Sequence, residues 1–226
     1  MWLQVLAASV WSGFVAMDTT AALQIMISRP VISCSVTGLL LGNFKLGFMV
    51  GILLELFWVH ELPIGAAPFS EGNVGASSAS AIAIISYNLT GREYPSLVFA
   101  LVLAVFIGII GGYMVELMRK INSRLFTNLL NDKELTMSRI SKAHFAGIGM
   151  AFLLGFLLSG SSIWLFGFTI LPATISLIPA GFDHYIQPFS NIFLGAGCGI
   201  LIFMFLKNNK KWWLIFIGLG VGLLLN

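Results

Sequence analysis

Charged side chains are scarce along this chain of 226 residues. It has 12 basic and 9 acidic residues, so charged residues make up 9% of the sequence while hydrophobic residues make up 58%. A soluble domain carries roughly 25% charged residues, enough to cover a surface that faces water. This composition excludes a soluble globular fold and predicts a polytopic membrane protein.

Several function classes are excluded by what the sequence lacks. Two cysteines, Cys34 and Cys198, lie in apolar stretches and behave there as small hydrophobes rather than as a disulfide framework. No cysteine or histidine occurs at metal-ligand spacing, and no phosphate loop or serine elbow is found. The net charge of +3 is too small for nucleic-acid binding. We therefore expect no metal, no cofactor, no nucleic-acid partner and no catalytic residue.

Basic residues concentrate in two short segments, 116–145 and 207–211, which together hold nine of the twelve. Short loops rich in lysine and arginine mark the cytoplasmic side of a membrane protein, so both segments are predicted to be cytoplasmic. No basic residue precedes Arg29. We therefore expect the first apolar stretch to belong to the mature fold rather than to a cleaved signal peptide.

The charged segment 116–145 divides the chain into two membrane halves, residues 1–115 and 146–226. Within it, residues 119–130 place apolar side chains at helical spacing between basic and amide side chains. This pattern predicts an amphipathic helix in the cytoplasmic interface, with a solvated linker helix as the alternative.

Proline and glycine interrupt the apolar pattern in each half, over 63–72 and over 172–188. Residues 74–88 reach only about 22 Å as a helix, less than the roughly 30 Å of the hydrocarbon core. Paired interruptions of this kind are typical of transporter binding sites. The predicted fold is an all-α polytopic membrane protein with transmembrane helices, Pro/Gly-interrupted re-entrant hairpins such as 61–88, and one cytoplasmic amphipathic helix.

Ionisable residues in apolar segments are costly and are functional candidates by default. Glu55 is the clearest example, and Glu61, Glu71 and Asn73 follow it in the interrupted stretch. Their acceptors and donors suit the hydroxyl groups of a sugar. The alternatives are a helix-end acceptor for Glu55 and solvated turns for Glu61 and Glu71.

Asp18 lies near the middle of the first apolar stretch. We expect it to form a structural charge pair, with Arg29 or with Lys45 as its partner. Glycines also occur four residues apart at five places, a spacing that lets helix backbones approach closely. Packing within the chain and a contact between subunits are both compatible with these pairs, which are Gly38/Gly42, Gly47/Gly51, Gly108/Gly112, Gly195/Gly199 and Gly218/Gly222.

Five ordered elements of the first half carry a family resemblance. They are Asp18, Ser28-Arg29-Pro30, Gly38-Leu-Leu-Leu-Gly42-Asn43, Gly51-Ile-Leu-Leu-Glu55 and Ile64-Gly65-Ala66-Ala67. In this order they resemble the IIC subunit of the mannose/fructose/sorbose family of bacterial sugar phosphotransferase systems. The resemblance adds Gly65, Ala66 and Ala67 to the candidate substrate-binding residues. Asn43 stands where that family usually has aspartate.

The resemblance implies a sugar-translocating subunit of the bacterial inner membrane. Such a subunit binds sugar near the membrane midplane, pairs with a IID-type membrane subunit and moves the sugar by an elevator-type motion. Cytoplasmic IIA and IIB proteins supply the phosphate, and the IIC subunit carries no phosphoryl group itself. The resemblance also implies an oligomeric complex in contact with membrane lipid.

A substrate-capture subunit of an energy-coupled vitamin importer is the alternative function. Such chains have a similar size and also lack catalytic residues. Under this alternative the ordered elements around Asp18, Arg29 and Glu55 are coincidental, and a separate ATPase supplies the energy.

Overall fold

A computed structural model describes residues 2–59, 70–130 and 136–208, and every regular element in these ranges is a helix. Within these ranges three stretches are long and apolar enough to cross a membrane: Glu93–Thr127, Met137–Leu177 and Asp183–Met204. The chain is therefore an all-α, multi-pass membrane protein, as the composition predicts. The helices in chain order are α1 (Trp2–Ala16), α2 (Pro30–Leu40), α3 (Phe44–Trp58), α4 (Gly72–Thr90), α5 (Glu93–Leu130), α6 (Met137–Ser162), α7 (Leu171–Leu177) and α8 (Asp183–Asn208).

Helices α2 and α3 form a short helical hairpin. With 11 and 15 residues they are about 16 Å and 22 Å long, so neither reaches across a core of about 30 Å. The turn between them is fixed by Gly42, whose φ is +80°, and by the Asn43 side chain, which accepts the N–H of Leu46 at 3.1 Å. A Cβ added at Gly47 would lie 2.6 Å from the carbonyl oxygen of Cys34. Gly47 therefore serves close packing of α2 against α3, whereas Gly42 serves the turn.

Helix α4 is the centre of the fold. Fourteen of its 19 residues are buried, mostly alanine, serine and isoleucine, and it contacts α1, α2, α3, α5 and α6. A Cβ at Gly75 would lie 2.7 Å from the carbonyl oxygen of Ala104 in α5, so only glycine permits this contact. α4 ends at Gly91 in a left-handed cap. With 19 residues α4 is about 28 Å long, longer than the helix predicted over 74–88. The hairpin 61–88 stays a prediction, since residues 60–69 lie outside the described ranges.

The amphipathic segment 119–130 is helical, as predicted, and it continues α5 without a break. Helix α5 has 38 residues and is about 57 Å long, so it extends well beyond the hydrocarbon core. The charged segment therefore stands at the end of a long membrane helix, and the start of α6 runs beside it.

The interruption expected over 172–188 is much shorter in the structure. Pro172 lies in the first turn of α7, where its missing N–H is tolerated because a π-helical segment, Ile163–Ile170, leads into it. Pro188 lies inside α8. Only the link around Ile178 and Pro179 leaves the helical path.

Arg92 joins the turn between α4 and α5 to this link. Its guanidinium donates to the carbonyl oxygens of Ile175 at 2.7 Å, Ile178 at 2.6 Å and Pro179 at 3.3 Å, and it pairs with the carboxylate of Asp183. Carbonyl groups at a helix C-terminus lack intrahelical donors, and a cation there also complements the helix dipole. The α4–α5 turn is thereby tied to the α7–α8 link.

Candidate binding cavity

One cavity of about 1090 Å³ lies where six helices bring their ends or terminal halves together. These are the C-terminal ends of α1 and α3, the N-terminal ends of α2 and α4, the end of α5 and the beginning of α6. Such a volume is at the upper end of the range for small-molecule sites. Its polar and charged lining residues are Asp18, Thr19, Thr20, Gln24, Ser28, Arg29, Glu55, Ser70, Glu71, Asn73, Arg119, Asn122 and His144.

Glu55 lies at this cavity, and two neighbours engage its carboxylate. Oε1 is 2.7 Å from the guanidinium of Arg29, and Oε2 accepts the N–H of Val31 at 3.2 Å. Val31 is in the first turn of α2, where backbone N–H groups have no intrahelical acceptor. Glu55 is thus a helix-end acceptor for α2, which is the alternative interpretation from the sequence. A carboxylate offers about four lone-pair sites, so two remain for a ligand.

The structure corrects the predicted charge pair of Asp18 with Arg29. Asp18 is buried, and its two oxygens accept backbone N–H groups, from Ile25 at 2.8 Å and from Ser28 at 2.9 Å. Arg29 pairs with Glu55 instead. The predicted pair is wrong because backbone N–H groups of the loop 22–29 already provide the hydrogen bonds that the buried Asp18 carboxylate needs. Side-chain charges alone do not reveal such backbone donors.

Glu71 and Asn73 meet Glu55 at the same cavity, on the N-terminal end of α4. Glu71 is only 2% exposed, so the alternative of a solvated turn is wrong for it. Its N–H donates to the carbonyl oxygen of Gly108 in α5 at 2.9 Å. The Asn73 amide donates to the Thr19 hydroxyl at 3.2 Å, which joins α4 to the end of α1. Four further candidates, Glu61, Gly65, Ala66 and Ala67, lie outside the described residues.

The wall formed by α5 and α6 was missed by sequence reasoning. Arg119, Asn122 and His144 belong to segment 116–145, which the charge pattern assigned to the cytoplasmic interface. Apolar residues of the same wall are Met118, Leu125, Phe126, Ile140 and Ile148. The signal was present in the amphipathic pattern of 119–130, because polar side chains on one face of a helix can line a cavity as well as face water.

The cavity combines charged, amide and hydroxyl groups with apolar and aromatic surface such as Trp58. The lining holds three carboxyl groups, those of Asp18, Glu55 and Glu71, and two guanidinium groups, those of Arg29 and Arg119. Among the described residues no cluster of three His, Cys, Asp or Glu side chains is placed to hold a metal ion. A neutral ligand with many hydroxyl groups suits this mixture of donors and acceptors.

Comparison with known proteins gives a family for the chain. Residues 2–225 match the family of PTS (phosphotransferase) system sorbose-specific IIC components. The sorbose-specific EIIC component of Lacticaseibacillus casei is 36% identical over 86 residues, and that of Klebsiella pneumoniae is 37% identical over 83 residues. These stretches cover 38% and 37% of this chain, and the match spans only 30% of the length of either relative.

Two solved structures share the fold. One, described as a membrane protein, superposes with a TM-score of 0.72 at 19% identity and covers 98% of this chain and 85% of the solved chain. The other is the mannose transporter ManYZ in complex with a microcin, with a TM-score of 0.58 at 17% identity, covering 100% of this chain and 88% of that one. At such identities these likenesses concern the fold alone.

Proposed function

We propose that this chain, which belongs to the family of PTS system sorbose-specific IIC components, binds a sugar in the cavity and moves it across the bacterial inner membrane. The carrying observation is the convergence of Glu55, Glu71 and Asn73 on one cavity that also has apolar surface. A sugar needs fixed partners for its hydroxyls and a flat apolar face for its ring. The cavity offers both.

The cavity is proposed to open toward the side predicted to be cytoplasmic and to extend from there toward the membrane midplane. The end of α5 and the beginning of α6 form one of its walls, and they belong to the basic segment 116–145. The positive-inside rule puts this segment in the cytoplasm, together with 207–211. In this arrangement the bound sugar is presented to a cytoplasmic IIB protein, which phosphorylates it after receiving phosphate from IIA. The chain itself supplies binding and carries no phosphoryl group.

An elevator-type motion is the proposed transport step, with a IID-type membrane subunit as the partner. The short hairpin of α2 and α3 supports this, because helices that do not cross the membrane can move with a substrate while longer helices stay in place. The two halves, 1–115 and 146–226, are proposed to be the structural units on either side of segment 116–145. Glu61, Gly65, Ala66 and Ala67 are proposed to complete the substrate site.

Sugar binding by the purified full-length chain, with its co-purifying subunits in lipid nanodiscs, tests this function. Radiolabelled sorbose, mannose and fructose are the probes, since sorbose and mannose are named for the relatives and the fold neighbour. The expected result is saturable binding of at least one sugar that an unlabelled excess displaces. Saturable binding of a vitamin such as riboflavin, with no sugar binding, would contradict the proposal.

A further inference from the structure

The loop that follows α1, residues 22–29, has an unusual backbone. Leu23, Gln24 and Met26 have φ values of +70°, +53° and +68°. Side chains beyond glycine rarely adopt this left-handed region because Cβ crowds the backbone there. Three such residues within four positions mean that contacts with the surrounding structure hold the loop backbone in a conformation that it would not adopt alone. Backbone strain of this kind clusters at functional sites.

Asp18 is the group that holds this loop. It lies in a π-helical turn, Met17–Ala21, which widens the end of α1 and carries the carboxylate toward the loop. Its two oxygens accept the N–H groups of Ile25, which lies between the left-handed residues Gln24 and Met26, and of Ser28, two residues beyond Met26. Bonds from backbone N–H groups to a buried carboxylate are among the stronger hydrogen bonds in proteins. They offset the cost of Met26, which lies between the two bonded residues, and of Leu23 and Gln24, which lead directly into Ile25.

The held loop forms part of the cavity. Gln24, Met26, Ser28 and Arg29 line it, whereas Leu23 does not and is 59% exposed. At the end of the loop, Arg29 is 2.7 Å from Glu55. Release of the loop would therefore displace one side of the cavity and the partner of Glu55 together.

We infer that Asp18 is a positioning residue, which holds the strained loop 22–29 in the conformation that forms the cavity wall and so sets the affinity for sugar. This inference rests on the proposed sugar-binding function. It assigns Asp18 a role through the backbone of the loop rather than through a charge pair or a direct bond to the ligand.

Hydrogen exchange of the loop amides tests the first part of this inference without any sugar. Asp18→Asn has the same shape, but its NH₂ group replaces one of the two acceptors, so one loop N–H loses its partner. We expect amide exchange of the peptide 22–29 to rise about tenfold or more, with α4 unchanged. Glu116→Gln removes an exposed carboxylate from α5 and should leave the loop unchanged. Unchanged loop exchange in Asp18→Asn would overturn the inference.

Two substitutions of Leu23 test the strain. Glycine adopts a positive φ without steric cost, whereas valine, branched at Cβ, is strongly disfavoured there. We therefore expect Leu23→Gly to keep the loop protected and the sugar affinity of the wild type, and Leu23→Val to speed loop exchange. If Leu23 served only as an apolar contact, the order would be reversed, because glycine removes more apolar surface than valine. That reversed order would overturn the inference.

Sugar affinity completes the test in the same nanodisc preparation. With whichever of sorbose, mannose and fructose the wild type binds, we expect Asp18→Asn to weaken binding about tenfold, and Leu23→Gly added to Asp18→Asn to restore part of the loss. A direct bond from Asp18 to the sugar would give no rescue by Leu23→Gly, and that result would overturn the positioning role. If the wild type binds none of the sugars, the proposed function fails, while the exchange data still decide whether Asp18 holds the loop.

Discussion

The pairing of Glu55 with Arg29 gives a quantitative test of what the Glu55 carboxylate does. The two side chains are 21% and 34% exposed, between a surface pair and a buried one. Exposed ion pairs contribute about 0.2–1 kcal/mol, and hydrogen bonds to charged groups about 1.5–3 kcal/mol. Because solvent screens this partly exposed pair, we expect a coupling free energy of about 1 kcal/mol between the two side chains. Glu55→Gln keeps one oxygen, which can accept the Val31 N–H, and replaces the oxygen that pairs with Arg29 by an uncharged NH₂ group.

A double-mutant cycle of Glu55→Gln and Arg29→Gln measures this coupling. The free energy of unfolding is followed by SDS titration in mixed micelles, and each single variant is expected to lose about 1–2 kcal/mol. The double variant should lose about 1 kcal/mol less than the sum of the two. Additive losses would refute the ion pair as an energetic link between α3 and the start of α2.

Sugar affinity of the same variants separates structure from binding. If the remaining lone pairs of Glu55 accept sugar hydroxyls, Glu55→Gln weakens binding about tenfold, or about 1.4 kcal/mol. Glu134→Gln, which changes an acidic residue in segment 116–145, should leave affinity unchanged. A Glu55→Gln protein that binds sugar normally but unfolds earlier would show that Glu55 acts only as the helix-end acceptor of α2.

Three further predictions concern stability and topology. Arg92→Gln should lower the free energy of unfolding in SDS by about 3 kcal/mol or more, because three carbonyl groups and Asp183 lose a largely buried cation. Lys45→Gln should lower it by less than about 0.5 kcal/mol, since Lys45 is 80% exposed, and equal losses would contradict the role of Arg92 in joining the α4–α5 turn to the α7–α8 link. Gly47→Ala should lower the free energy of unfolding by about 1–3 kcal/mol, because the added Cβ meets the Cys34 carbonyl oxygen. Gly149→Ala, with open space around the added Cβ, should be neutral or slightly stabilising, and a tolerated Gly47→Ala would contradict the close packing of α2 and α3. A single cysteine at Lys142 in a cysteine-free background should be labelled in inside-out vesicles and protected in intact cells, and labelling from outside would overturn the assigned topology.

The sequence was sufficient to predict the fold class, and it singled out three residues that the structure places at one cavity. In lipid only helices and closed β-barrels satisfy the hydrogen bonds of every backbone group. Scarce charge and long apolar runs are typical of the helical class, and they therefore predict a helical membrane protein. Glu55, Glu71 and Asn73 were identified because polar residues in apolar segments are costly. The structure brings these three to one cavity. Whether they bind substrate stays a prediction.

Other features were beyond the reach of sequence patterns. The loop 22–29 contains no glycine, and its left-handed residues depend on a carboxylate that lies several positions earlier. Pro172 looked like a helix breaker, but the π-helical segment before it accommodates the missing N–H. The cavity wall on α5 and α6 depends on how these two helices pack against each other. These outcomes depend on tertiary contacts, which local propensity does not encode.

Blocking the cavity tests the central claim most directly. Ala143 lines the cavity and Ala146, on the next turn of α6, does not. Equilibrium binding of radiolabelled sorbose, mannose and fructose is measured for Ala143→Trp, Ala146→Trp and the wild type in nanodiscs, with a thermal melt of each. The account predicts that the wild type and Ala146→Trp bind the same sugar with similar affinity and that Ala143→Trp, still folded, does not bind it. Sugar binding by a folded Ala143→Trp protein at wild-type affinity would contradict the assignment of this cavity as the sugar site.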